Sequence, residues 1–305
     1  IVAYPRDANY GNIDDLNRPE NAELLILKVL SYFVVKRHTP HIVLPITTFN
    51  SNIETFVKLG KSNMITSKKY DKFIKKKKKG IFFDEVSVLI SEWADGGDLL
   101  EYLNLHFASL SVKQWKVIFF QVISTIAIIQ NKYPSFRHND LKLNNILIQN
   151  LEQHNENRAF IYNVNDKDYH VPNIGIRCKI WDFDFACIPG MIENSKVNAE
   201  WTNDINVRSE SHQYYDIHYF FNTMIAPAFI ENFFERDKYG VPYVPEEVTE
   251  FVNRVIPIQI RTGDCVSERG RLLISYEELK RVRGIFYTTP LEILENDPFF
   301  AKMRP

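Results

Sequence analysis

The stretch HNDLKLNN, residues 138–145, with the apolar ILI of residues 146–148 behind it, decides the fold and carries the strongest chemical signal. An Asp, a Lys two residues later and an Asn five residues later on one loop suit phosphoryl transfer. We expect Asp140 to orient an attacking hydroxyl group and to accept its proton. Lys142 would offset charge on the moving phosphoryl group, and Asn145 would hold a metal ion.

A second acidic motif, KIWDFDFA at residues 179–186, follows in the chain. An Asp that leaves the end of a strand can ligate a Mg²⁺ ion that bridges the phosphates of ATP, so Asp182 is the second predicted metal ligand. Acidic and Asn residues also cluster in ordinary turns, so each motif alone would be moderate evidence. Their order, a polar loop and then a strand-borne Asp, favours phosphotransfer from a nucleotide.

Together the two motifs resemble the protein kinase superfamily, whose catalytic loop reads H-R-D-L-K-x-x-N and whose metal loop reads D-F-G. The resemblance covers roughly residue 18 to the end of the chain. It implies an α+β, bilobal fold: a small strand-containing N-lobe at residues 1–91, a hinge at 92–97 and a large helical C-lobe at 98–305. No Gly-rich phosphate lid and no Val-Ala-Ile-Lys strand precede Glu23, so we expect a truncated N-lobe whose ATP-positioning Lys lies just before Ile1.

The same resemblance implies which residues hold ATP and its Mg²⁺ or Mn²⁺. Glu23 is similar to the helix-borne Glu that pairs with the ATP-positioning Lys. Ser91 falls at the gatekeeper position, and backbone groups of Glu92 and Ala94 would hold the adenine. Asp216 in the YDIH segment is similar to the Asp that holds the backbone of the catalytic loop.

Within the superfamily, the chain most resembles the poxvirus-type virion Ser/Thr protein kinases of large DNA viruses. Three features carry this resemblance: DFDF at residues 182–185 in place of D-F-G, the segment YYDIHYFF at 214–221, and no recognisable A-P-E. It implies a viral Ser/Thr kinase with protein substrates, located in the host cytoplasm and the virion. Asn139 departs from the family, because it replaces the Arg that binds a phosphate on the activation segment, which here covers roughly residues 185–215. Arg177 and Arg208 are the nearest residues in sequence that could supply the missing charge.

Two other functions stay open at this point. Small-molecule kinases of the choline or aminoglycoside type also carry H-x-D-x-x-x-x-N before an acidic metal strand, although Lys142 and the Gly96-Gly97 turn favour a protein kinase. A pseudokinase scaffold would follow if the Gly-rich loop and its Lys were truly absent. The retained metal-ligand pair, Asn145 and Asp182, argues against a scaffold.

The composition of the chain limits which classes of partner it can attract. The 305 residues carry a formal net charge of -1, so the whole molecule has no field that would attract nucleic acid, and no nucleic-acid partner is expected. The lysine run at residues 75–79 is a candidate contact for an anionic partner, although an exposed connection over 61–80 explains it more simply. Three cysteines without metal-ligand spacing indicate a reducing, cytoplasmic compartment.

The pattern of apolar residues predicts the main elements. A helix begins near Pro19, a strand follows the break at Pro40 over residues 41–46, and a second strand covers 82–93. The apolar run at 115–129 is shorter than the roughly 20 residues that span a bilayer, which favours a buried core helix and no transmembrane segment. Residues 149–176 form an insertion, either a surface elaboration or a docking site.

Overall fold

The computed structural model describes residues 1–60, 68–151, 159–203 and 205–304. The strands are β1 (Val2–Pro5), β2 (Pro45–Asn52), β3 (Phe82–Ser91), β4 (Ile146–Asn150), β5 (Ala159–Val164), β6 (Lys167–Pro172) and β7 (Ile176–Ile180). The α-helices are α1 (Pro19–Val35), α2 (Ile53–Gly60), α3 (Lys68–Lys78), α4 (Leu99–His106), α5 (Val112–Lys132), α6 (Glu200–Asn203), α7 (Tyr215–Met224), α8 (Glu246–Val255), α9 (Tyr276–Leu279) and α10 (Pro290–Asn296).

The N-terminal part is an antiparallel sheet of three strands in the order β1-β3-β2, with α1 beside it. Helix α1 begins at Pro19, as predicted, because the fixed φ of proline suits the first helical turn and its missing N–H costs nothing there. Its buried residues Ala22, Ile26, Leu30 and Phe33 recur at helical spacing and face the core. Glu23 is half-buried on the same side of the helix, one turn before Ile26 and Leu27, and lies near Asp182 and Asp184.

The lysine-rich stretch is a helix where the sequence predicted a connection. Residues 68–78 form α3, while residues 61–67 of the predicted connection lie outside the described residues. Tyr70 and Phe73 share one face: the Tyr70 hydroxyl donates to the Val57 carbonyl over 2.8 Å, and the Phe73 ring lies 5.4 Å from that of Phe82. These contacts outweigh the repulsion among the lysines, whose binding to an anionic partner stays a prediction.

The strand predicted over 41–46 lies further along the chain, at β2. Residues 41–43 are buried instead beneath the sheet, where Val43 donates to the Ile180 carbonyl over 3.1 Å and Ile180 donates to the His41 carbonyl over 2.8 Å. Strand β2 is mostly polar and exposed, because it is an edge strand held by its ladder with β3. The prediction from apolar character alone therefore placed this strand a few residues too early in the chain.

Helix α5 is the centre of the C-terminal part. It is long and apolar enough to cross a membrane by composition alone, yet 78% of its most apolar window is buried inside the protein. Phe119 packs on the aromatic rings of Phe251 and Phe221 at 5.6 Å and 5.0 Å between centroids. The prediction of a buried core helix is thus confirmed for the described residues.

The insertion between the two chemical motifs contains a hairpin, β5–β6, and residues 152–158 of it lie outside the described part. Tyr169 and Val171 of this hairpin are buried, and the Tyr169 ring lies 5.3 Å from that of Phe120. One face of the hairpin is therefore part of the protein core. The division at a hinge of residues 92–97 stays a prediction; β3 ends at Ser91 and α4 begins at Leu99 on either side of it.

Candidate active site

One buried carboxylate, that of Asp216, holds the loop of residues 138–145, which the sequence predicts to be the catalytic loop. Asp216, on the first turn of α7, accepts hydrogen bonds from the backbone N–H groups of His138 and Asn139 over 2.8 Å and 2.9 Å. Asn139 has a φ of 64°, a left-handed conformation that costs free energy in a residue other than glycine. The two bonds to Asp216 stabilise this turn and direct the next residue, Asp140, into the cleft.

Asp140, Lys142 and Asn145 meet as the spacing of the motif predicts. The Asp140 Oδ2 atom accepts from Lys142 Nζ over 2.8 Å and from Asn145 Nδ2 over 3.0 Å. Burial would raise the pKa of Asp140, but the bond to Lys142 and the nearby positive charge of Arg271 outweigh it and lower that pKa. Asp140 is therefore ionised near neutral pH and can accept a proton.

Arg271 is a site residue that the sequence did not reveal. Its Nη2 atom lies 2.5 Å from Asp140 Oδ1, and its side chain is 5% exposed. The two arginines that were candidates from the sequence lie elsewhere: Arg177 Nη1 donates to Gln149 Oε1 over 3.4 Å, and Arg208 contacts Asn139 through its backbone carbonyl. No motif marks Arg271, because its partner lies 131 residues away in the chain.

Asp182 lies beside the catalytic loop, as predicted. The Trp181 N–H donates to the Asn145 carbonyl over 2.9 Å, and His138 Nε2 lies 3.1 Å from the Trp181 carbonyl. Burial raises the pKa of Asp182, and the carboxylates of Asp184 and Asp140 add to this, while the nearby His138 acts in the opposite direction. Among the described residues no Lys, Arg or His side chain forms an ion pair with Asp182.

A buried carboxylate that has no ion-pair partner among the described residues fits a divalent cation. Within the described ranges, no group of three or more His, Cys, Asp and Glu side chains could hold a metal ion by itself. Mg²⁺ is commonly held by one or two carboxylates together with phosphate oxygens and water. Asp182 and the amide oxygen of Asn145 therefore suit a metal whose remaining ligands come from a nucleotide.

Glu23 faces the same region from α1. Burial raises its pKa to about 7, and the negative charges of Asp184 and Asp182 contribute to the same shift. Lys196 of the activation segment forms an ion pair with Asp184 and lies over the Phe185 ring. The pairing of Glu23 with an ATP-positioning Lys stays a prediction.

The predicted adenine contacts lie at the end of β3. Ser91 is the last residue of that strand, and the Glu92 N–H donates to the Leu44 carbonyl over 2.9 Å. In the part of the chain that the structure describes, the Glu92 carbonyl and the Ala94 N–H have no hydrogen-bond partner. Both groups are thus available to a base, although the roles of Ser91, Glu92 and Ala94 stay predictions.

A buried ion pair behind this segment was not predicted. Glu92 Oε1 accepts from Lys179 Nζ over 2.7 Å and from the Leu44 N–H over 2.7 Å. Burial lowers the pKa of Lys179, and the bond to Glu92 partly offsets that effect. A lysine within a strand of apolar residues was the only sequence signal for this pair.

A groove of about 1010 Å³ begins at Asp140 and Lys142 and extends past Phe185, Trp201 and Tyr219. Its walls are the activation segment on one side and the end of α7 on the other. The groove is open to solvent and broad enough for a length of polypeptide. Asp140 and Lys142 are among the residues that line the groove, where a hydroxyl group of a bound chain could meet the Asp140 carboxylate.

The chain is similar to proteins of large DNA viruses. A family model described as "Poxvirus serine/threonine protein kinase" matches residues 12–236. R400 of Acanthamoeba polyphaga mimivirus, whose name describes it as a candidate serine/threonine-protein kinase, is 44% identical over 311 residues. That alignment covers 100% of this chain and 63% of R400, so the chain spans less than two thirds of that relative.

A second relative, R301 of the same virus, bears a name of the same kind. It is 30% identical over 180 residues, which are 59% of this chain and 42% of R301. These matches confirm the resemblance to the poxvirus-type kinases and the α+β, kinase-like fold that the motifs predicted.

Proposed function

The chain belongs to the poxvirus serine/threonine protein kinase family, and on that premise we propose that it transfers the γ-phosphoryl group of ATP to Ser and Thr hydroxyls of proteins. One observation supports the proposal most: an ionised Asp140, held by Lys142, Asn145 and Arg271, in the lining of an open groove. A carboxylate fixed in this way can orient a hydroxyl group and accept its proton.

Each residue of the site has a distinct part in this proposal. Asp140 aligns the acceptor hydroxyl with the γ-phosphorus atom and receives its proton as the new O–P bond forms, while the bond from that phosphorus to the bridging oxygen breaks and ADP leaves. Lys142, 2.8 Å from Asp140, also faces the groove and can offset charge on the transferred group. Asn145 and Asp182 would hold Mg²⁺, which, when bound, supplies charge neutralisation at the phosphates.

The groove favours a protein acceptor over a small one. Choline or an aminoglycoside needs an enclosed pocket with convergent polar groups, whereas this groove is long, open and lined largely by apolar side chains such as Phe185 and Trp201. The ionised Asp140 and the uncompensated Asp182 likewise argue against a scaffold without catalysis, because a scaffold gains nothing from such charges.

The test is the Asp140→Asn variant. We expect its kcat for a protein acceptor to fall by about 10²- to 10⁴-fold, the usual contribution of a general base, while its Kd for ATP stays the same. The assay follows phosphate transfer from labelled ATP with Mg²⁺ to acidic and basic carrier proteins, and in parallel to choline and an aminoglycoside.

Asp168→Asn is the matched control, because Asp168 is exposed on β6 and contacts only Asn163 in the described chain. It should retain the activity of the unsubstituted chain. If Asp140→Asn kept more than a few per cent of kcat, Asp140 would not be the base. Transfer to a small molecule but to no protein would overturn the proposed substrate class.

A further inference from the structure

Arg271 lies at the base of a tight turn that holds its backbone. Val266 and Leu272 form an isolated β-bridge, and within it the Ser267 N–H donates to the Arg271 carbonyl over 2.8 Å. The Arg271 N–H donates in return to Ser267 Oγ over 3.1 Å. The backbone of Arg271 is thus fixed before its side chain makes any contact.

The guanidinium group is then oriented by two further elements, helix α7 and the loop of residues 138–145. It lies 4.2 Å from the centroid of the Tyr219 ring, and its Nη1 atom lies 3.4 Å from the Tyr215 hydroxyl, both on α7. Nη1 also donates to the Asn139 carbonyl, while Nη2 donates to Asp140 Oδ1. A planar group held on its face and at two edges has little freedom to move.

Asn139 cannot supply this charge. Its Nδ2 atom donates to the Phe185 carbonyl over 3.0 Å and to the Arg208 carbonyl over 3.2 Å. The residue before the catalytic Asp therefore braces the backbone of the activation segment. The positive charge on the Oδ1 side of Asp140 comes from Arg271 instead.

Among the described residues, the hydrogen bonds of Asp140 leave one lone-pair site of its carboxylate unused. An ionised carboxylate has about four lone-pair sites. Lys142 and Asn145 bind Oδ2, and Arg271 binds Oδ1, so three sites are used and one remains, on Oδ1. Because Arg271 is bound to that same oxygen, the guanidinium group sets the direction in which the remaining site points.

We infer that Arg271 is a positioning residue: it orients the free lone pair of Asp140 toward the acceptor hydroxyl. The inference rests on the proposed function. A carboxylate that rotates by a small angle would still bind Lys142 but would no longer meet the hydroxyl group in line with the phosphorus atom. Misplacement of a reacting group by about 1 Å can cost about 10²-fold in rate.

The main test is a double-mutant cycle between Arg271 and Asp140. Arg271→Met keeps the length of the side chain and removes its charge, and it is measured in the unsubstituted and the Asp140→Asn backgrounds by single-turnover transfer to a protein acceptor. We expect a loss of about 10- to 100-fold in the first background, with Kd for ATP unchanged, and no further loss in the second. Equal losses in both backgrounds would overturn the inference, since a purely structural role does not depend on the carboxylate.

The Arg271→Lys variant tests the same inference if Arg271→Met does not fold. Lysine keeps the buried charge but cannot donate to Asn139 and Asp140 together, so we expect its kcat to fall at least severalfold with Tm nearly retained. Full activity of this variant would contradict the inference. Arg283→Met is the matched control, because Arg283 is exposed and lies outside the site.

Chemical rescue gives an independent measurement. Arg271 lines the groove, so free guanidinium at millimolar concentration can enter the space that Arg271→Ala leaves. We expect it to restore part of kcat, whereas ammonium at the same ionic strength should not. If guanidinium did not restore activity and the losses from the Arg271 and Asp140 substitutions were additive, the inference on Arg271 would be overturned while the proposed function would stand. Absence of any transfer by the unsubstituted chain would overturn the proposed function as well.

Discussion

Asp182 carries two energetic costs at one residue. Its φ of 62° lies in the left-handed region, which costs about 1–3 kcal/mol outside glycine. Its carboxylate is also partly buried beside the negative charges of Asp184 and Asp140, which raise its pKa. Asp184, by contrast, has Lys196 as a partner. A residue that is strained and electrostatically uncompensated is stabilised when a cation binds, so Asp182 is the carboxylate most dependent on metal.

Asp182→Ala should therefore remove the effect of Mg²⁺ on nucleotide binding. Calorimetry would measure the affinity for ATP with Mg²⁺ and with a chelator. We expect the affinity with Mg²⁺ to fall about tenfold or more, while the affinity without metal stays equal or improves, because a repelling charge is removed. A variant that still bound ATP more tightly with Mg²⁺ than without it would show that Asp182 is not a ligand.

Residues of the site that lie close in sequence were predictable, and those that meet across the fold were not. The five-residue interval from Asp140 to Asn145 fixes both side chains on one loop, so their contact follows from the motif. Arg271 reaches the same carboxylate from a distant turn, and Lys179 reaches Glu92 across 87 residues. Such contacts depend on how the elements pack, which a single sequence does not reveal.

Among the elements, the hairpin β5–β6 shows how an insertion becomes part of the core. Its residues alternate between two faces: Tyr169 and Val171 are buried, while Ile161 is 65% exposed. The His41 ring stacks on Tyr162 with centroids 5.4 Å apart, so the hairpin also covers the segment beneath the N-terminal sheet. The hairpin thus joins the N-terminal sheet region to helix α5.

Tyr169→Ala should lower the free energy of unfolding by about 3–5 kcal/mol, as for other large aromatic side chains truncated in a core. Urea unfolding measures the change. Tyr169→Phe should be nearly neutral, because the Tyr169 hydroxyl is buried without a hydrogen-bond partner among the described residues. Ile161→Ala, on the exposed face of the neighbouring strand, should change stability by less than about 0.5 kcal/mol. A loss for Tyr169→Ala as small as that for Ile161→Ala would show that this face of the hairpin does not belong to the core.

Elements were predicted well where apolar spacing was strong and poorly where it was not. Helix α1 and helix α5 follow their buried residues closely. Helix α3 is rich in lysine and is placed by the contacts of Tyr70 and Phe73, and edge strand β2 is polar along most of its length. Both are stabilised by neighbours rather than by their own pattern, which is why propensity and periodicity missed them.

At the scale of the whole molecule, burial in the described part of the chain keeps His41, His212 and His218 in the neutral form. Burial is the main cause that lowers the pKa of His41 and of His212 to about 3, and that of His218 to about 4. His218 Nε2 lies 2.5 Å from the Ile260 carbonyl, and His41 Nδ1 lies 2.8 Å from the Cys178 carbonyl. In the unfolded chain these side chains would titrate near 6.5. Their contribution to stability is therefore fully present above that pH.

As the pH falls from 6.5 toward 4, the unfolded chain binds protons that the folded protein excludes. Each histidine should then lower the free energy of unfolding by up to about 1.4 kcal/mol per pH unit. His212→Phe keeps an aromatic ring against Tyr276 and removes one titrating group. Urea unfolding from pH 7 to pH 4 should give this variant a smaller loss of stability than the unsubstituted chain. Parallel pH dependence in the two proteins would show that His212 does not titrate on unfolding.

The contact between Asp140 and Arg271 also sets an order of events during synthesis of the chain. The ribosome adds the catalytic loop 131 residues before the arginine that completes it. At translation rates of about 5–20 residues per second, the interval is roughly 7 to 26 s. Throughout that time a nascent chain carries the catalytic loop without its guanidinium partner. Phosphotransfer would therefore switch on late in translation, after most of the C-terminal part has left the ribosome.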